Sequence, residues 1–123
     1  MTESTSTSSP LAREIYRQLR RHLRAHQYSI TYGELAASVS DKIPTHHRSS
    51  KLHAALGELT ATCRERDLPI LPAMVWRNDS RRPSAGYYAI AHPRARTDAA
   101  RRAAWERAHD RVVREIERLP KAL

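Results

Sequence analysis

The sequence predicts an α+β fold that is mostly helical, on three observations. Apolar residues recur at helical spacing in three long stretches, capping Ser or Thr residues precede several of them, and one segment with two prolines turns extended. Residues 1–10 are expected to form a disordered polar tail, Ser/Thr-rich as far as Ser9, with Pro10 where the first turn of a helix tolerates proline.

From Leu11 to about His26, Ile15, Leu19 and Leu23 repeat every fourth position with Tyr16 alongside, which marks one buried helical face. Arg13, Arg17, Arg20, Arg21 and Arg24 fall on the other side and read as a solvated face. Thr31, followed three residues later by Glu34, forms a capping box that opens a short helix to about Val39. Ser40 to Ser50 contains Pro44 and many polar residues, so it reads as a loop. Ser49 or Ser50 caps a third helix to about Arg66, with Leu52, Leu56, Leu59 and Cys63 on one stripe.

The two prolines Pro69 and Pro72 exclude an interior helix, and the run ending near Arg77 reads as a strand. Asn78 to Gly86 carries turn chemistry, and Tyr87 to Ala91 reads as a returning strand, giving a hairpin with arginines at its tip. His92 to Arg96 is a linker. Thr97 caps a last helix to about Leu119, with Trp105, Ala108, Val112, Ile116 and Leu119 as its apolar seam, and Pro120 stops it.

Helix, short helix, loop, longer helix and hairpin follow one another in the order of a winged helix-turn-helix core, here with an added C-terminal helix. Residues 11–96 are the expected winged-helix-like domain. Residues 97–123 are an amphipathic helix that packs on that domain or pairs with a second copy in a homodimer.

Twenty-two Lys+Arg against thirteen Asp+Glu leave a formal charge of +9 and an isoelectric point near 10.6, which points to a polyanionic partner. Only Lys42, Lys51 and Lys121 are lysines; arginine's planar fork suits phosphate and guanine edges. Nothing near the start reads as a signal peptide, and no run approaches the roughly 18 apolar residues of a membrane span. The lone Cys63 cannot form an internal disulfide, so a reducing cytoplasm is the expected compartment.

The local wording carries a resemblance. Ile30-Thr31-Tyr32-Gly33-Glu34-Leu35-Ala36 resembles the SYGE(I/L)A opening of the DNA-binding domain in alkylguanine DNA alkyltransferases and alkyltransferase-like proteins. Leu68-Pro69-Ile70-Leu71-Pro72 is similar to their VPILIP strand, followed by Gly86-Tyr87-Tyr88; the resemblance covers about residues 28 to 90. Those enzymes carry a PCHR motif whose cysteine accepts the alkyl group. This chain has Pro72-Ala73-Met74-Val75, with neither nucleophile nor base, so the resemblance implies the fold without alkyl transfer. A nearer likeness is to small prokaryotic proteins with ITYGELA, then LG, YC and GLPPL, matched by Leu56-Gly57, Thr62-Cys63 and Asp67 to Leu71. It brings no activity.

His22 with His26 has the i, i+4 spacing of a metal pair, and His46, His47, His53 and Cys63 form a looser set. Neither completes a ligand set, so no metal and no cofactor are expected. Cys63, in line with leucines, reads as core. With only Gly33, Gly57 and Gly86, no glycine-rich phosphate loop is available.

The expected function is therefore non-enzymatic binding of double-stranded DNA. Tyr32, after the cap of the second helix, and His47, Arg48, Ser50 and Lys51 at the head of the third would provide contacts, and Arg77, Arg81 and Arg82 would supply a basic wing. The rival readings are RNA on the same surface, or a protein-interaction module accompanying a larger DNA-processing or phage-defence system.

Overall fold

The computed structural model describes residues 9–46 and 48–123. Helix α1 (Pro10–Arg24) is capped by Ser9, whose side chain accepts from the Ala12 N–H, and has Pro10 in its first turn. The Ser9 N–H donates to Glu58 and Pro10 is helical, so these two residues of the expected tail belong to the fold, while residues 1–8 lie outside the described residues. Ile15, Tyr16, Leu19 and Leu23 of α1 are buried, as their spacing requires. Arg20 departs from the expected solvated face: it is half-buried, and its Nε lies out of solvent.

Strand β1 (Ile30–Thr31) leads directly into α2 (Tyr32–Ser40), and the Thr31/Glu34 capping box is complete in both directions. Helix α3 (Ser50–Glu65) starts at Ser49, whose hydroxyl accepts from the Lys51 N–H. It buries Leu52, Leu56, Leu59 and Cys63 against α1. Burial pushes the Cys63 thiol above its ordinary range, which suits a core residue and not a nucleophile.

The segment after α3 corrects the expected strand. Leu71–Met74 form a 3-10 turn with Pro72 near its start, and only Val75–Trp76 are strand, β2. β2 pairs in parallel with β1, Ile30 opposite Val75 and Thr31 opposite Trp76. A second correction concerns the hairpin: Ala85–Ala91 are a helix, α4, and not the returning strand, so β2 has no antiparallel partner among the described residues and the expected wing is replaced by a loop leading into a helix. The reason is packing. Tyr87, Tyr88 and Ala91 are buried at i, i+1 and i+4, one helical face lying along α3. Gly57 of α3 admits this approach: a Cβ there would lie 2.8 Å from Ile90 Cδ1.

Helix α5 (Asp98–Arg114) is capped by Thr97 and followed by a 3-10 turn, Ile116–Arg118. Trp105, Val112 and Leu119 are buried, with Ala108 and Ile116 packed at the edge, so this seam lies on the chain's own core. The Trp105 indole donates to the Ala73 carbonyl at 2.8 Å, and Tyr16 donates to the Pro120 carbonyl, tying the end of the fold to α1. The i, i+4 ion pair Arg114–Asp110 forms on the exposed side, and Arg111–Glu115 forms part-buried. Among the described residues, no helix is long and apolar enough to cross a membrane.

Candidate nucleic-acid interface

Three segments meet at the head of α3: the β1–α2 junction, the approach to α3, and the loop 77–84. The loop closes on itself through backbone bonds, Arg77 N–H to Arg82 O and Arg81 N–H to Arg77 O, each 2.8 Å. It is fastened to α2 by Tyr32, whose hydroxyl donates to Ser84 Oγ and accepts from the Ser84 N–H, both at 3.0 Å. The Tyr32 ring also lies against His53 of α3, with centroids 5.1 Å apart. Between the segments is an open cleft of about 880 Å³, lined by Tyr32, Arg48, His53 and Arg77 together with Glu34 and Asp79.

Both carboxylates are already engaged. Glu34 accepts from the Thr31 N–H in the capping box, and Asp79 pairs with Arg77 at 2.9 Å, which holds its carboxyl below the ordinary range. Arg77 remains half-exposed beyond that pair. Arg48 and Lys51 are exposed, and so is Ser50, the first residue of α3. A narrower recess of about 80 Å³ runs inward from Tyr32 and His53 between α3 and α4, reaching Gly57 and Tyr87.

The cleft thus gathers Tyr32, Arg48 and Arg77 from the expected set, with Ser50 and Lys51 on the first turn beside it. His47 lies outside the described residues. Arg81 is exposed at the loop apex in a left-handed conformation, φ 57°. Arg82 does not project as expected. Its side chain is 17% exposed, donates to the Tyr88 hydroxyl at 3.2 Å and pairs with Asp98 at 3.0 Å, so it joins α4 to α5. Its guanidinium also lies 5.7 Å from the Tyr88 ring centroid, where Arg101 sits at the same distance.

Sequence reasoning missed His53 and Ser84. His53 follows Ser49 by one helical turn, a spacing that puts it on the face of α3's capped end. No sequence signal identifies Ser84 as the partner of a tyrosine 52 positions away. Of the histidines weighed as metal ligands, the His22 ring bonds the Gln18 carbonyl and His26 meets the Tyr28 hydroxyl. Among the described residues, no three His, Cys, Asp or Glu gather as a metal set.

The chain matches no protein-family model, no curated protein and no solved structure.

Proposed function

We propose that this chain binds double-stranded DNA without performing chemistry on it, through phosphate contacts from the head of α3 and the loop 77–84. The observation that carries the reading is the meeting of Arg48 and Arg77 in one open cleft whose two carboxylates are already bonded, on a chain of net charge +9. Ser50 and Lys51 on the first turn of α3 are exposed and add a hydroxyl and an ammonium group beside it. Arg81 extends the same surface from the loop apex. The likeness of Ile30 to Ala36 to the alkyltransferase-type opening supports a DNA-binding role for this junction, with Ala73 and Met74 standing where transfer chemistry would need Cys and His.

Fluorescence anisotropy on duplex DNA, single-stranded DNA and RNA across a salt series tests the reading. Duplex affinity should fall steeply with salt, and Arg48→Ala with Arg77→Ala should make the log–log slope shallower by about 1 to 2. A flat salt response, or a slope unchanged in the double variant, rejects it; stronger binding to RNA moves the same surface to the rival substrate. An adaptor reading has less support, because Tyr28 is the one large apolar side chain exposed among the described residues.

A further inference from the structure

At the other end of α3 lies a second open cleft, of about 660 Å³, between the end of that helix, the α4–α5 connection and the face of α5. Three arginines line it from three different elements: Arg64 from α3, Arg94 from the connection and Arg107 from α5, with His92 beside them. The rest of its wall is alanine and proline, and no Asp or Glu is among its lining residues. This sets it apart from the cleft at the head of α3, whose lining includes Glu34 and Asp79.

Among the described residues, none of Arg64, Arg94 and Arg107 enters an ion pair, whereas Arg111 and Arg114 of α5 and Arg118 of its following turn do. Arg64, an exposed residue, is tethered by donating one N–H to the Ile90 carbonyl at 2.9 Å. His92 is half-buried, and its Nε2 shares a 2.9 Å hydrogen bond with the Tyr87 hydroxyl, so its ring is fixed at the cleft wall. Three like charges brought to one concave surface repel one another unless an anion joins them. Guanidinium groups present planar pairs of donors that match the oxygens of a phosphate.

We propose that this cleft is a phosphate-binding site, in which Arg64, Arg94 and Arg107 grip a phosphoryl oxyanion carried either on a nucleic-acid backbone or on a small phosphorylated molecule. It lies apart from the duplex cleft: the 16 residues of α3 span about 24 Å between the two ends. The assignment stands on its own charges and does not rest on the duplex reading.

His92 supplies a readout within the site. Burial, with the Arg107 and Arg64 guanidinium groups adding to it, holds its imidazole below the ordinary range, and the facing groups are Arg64, Arg94, Arg107, Tyr87 and Tyr88. An anion among the three arginines reverses part of that bias. The test follows the His92 ring resonances by NMR across pH, with and without inorganic pyrophosphate, alongside calorimetric titration of pyrophosphate. The pH midpoint of His92 should move upward with pyrophosphate. Arg94→Ala with Arg107→Ala, both exposed, should weaken binding at least about tenfold with an unchanged thermal melt. Arg21→Ala with Lys121→Ala removes the same charge from exposed positions that line neither cleft and should leave the pyrophosphate response intact.

The same Arg94/Arg107 variant is then measured on duplex DNA. A loss of duplex affinity assigns the phosphate to a nucleic-acid backbone; an unchanged duplex affinity with a lost pyrophosphate response assigns it to a small molecule. A His92 midpoint unmoved by pyrophosphate, together with a double variant that behaves like wild type on both probes, overturns the site. So does an equal loss of pyrophosphate binding in the Arg21/Lys121 control, which would leave only diffuse attraction to a basic protein.

Discussion

The Tyr32 hydroxyl is satisfied twice by one residue, donating to Ser84 Oγ and accepting from the Ser84 N–H, and so pins the loop 77–84 onto the start of α2. Removing that oxygen leaves a part-buried backbone N–H without its partner. Tyr32→Phe should lower stability by about 1 to 2 kcal/mol and speed amide exchange at Ser84. Exchange at Ser84 as slow as in the wild type would show that the loop is held by other means.

Arg81 and Arg82 are neighbours with opposite duties. Arg82→Ala removes bonds to Tyr88 and Asp98 and should cost about 1 kcal/mol in a denaturant titration. Arg81 stands at φ 57°, so Arg81→Gly should hold or slightly raise stability, by up to about 1 kcal/mol, while weakening duplex binding. Equal destabilisation by the two variants would contradict this division.

Gly57 and Ile90 should be energetically coupled, since a Cβ at 57 meets the Ile90 Cδ1 at 2.8 Å. Gly57→Ala gains helix propensity of about 1 kcal/mol but must displace that methyl, so its net effect should be small. Ile90→Val removes the methyl. The double variant should be more stable than the sum of the singles by at least about 0.5 kcal/mol, and simple additivity in the mutant cycle would rule the contact out.

His92 sets a pH dependence of known sign. Its imidazole is held below the ordinary value of 6.5, chiefly by burial. As pH falls through that region the unfolded chain binds a proton that the folded chain does not, so this contribution to stability is lost on acidification. His92→Gln should flatten the fall in melting temperature between about pH 7 and pH 5. A profile as steep as that of the wild type would place the acid sensitivity elsewhere.

Four of the five helices were legible in the sequence because each has a cap and an apolar stripe long enough to show its period, as with Thr31 and Glu34 for α2 and Ile15, Leu19 and Leu23 for α1. Helix α4 was not. Seven residues give less than two turns, Tyr87 and Tyr88 favour extended chain locally and Gly86 is a weak helix former; burial of both tyrosines on the face that packs along α3 overrides that preference. The two-residue parallel pair was illegible for a different reason: Ile30 and Val75 carry no mark of their register, which the surrounding helices impose. In the site, the exposed head of α3 could be read from its cap, whereas the inward turn of Arg82 depends on Asp98 and Tyr88, neither of which has a sequence relation to it.

The docking of α5 also fixes what the protein shows to light. Its two tryptophans, Trp76 and Trp105, stand edge to face with centroids 5.8 Å apart, on either side of the contact between the β2 segment and α5. Intrinsic tryptophan emission therefore reports on that one seam, while far-ultraviolet dichroism reports on all five helices. Two melting curves that coincide would mean that α5 leaves with the rest of the core; an emission change that comes first would mark the last helix as a separately detachable part.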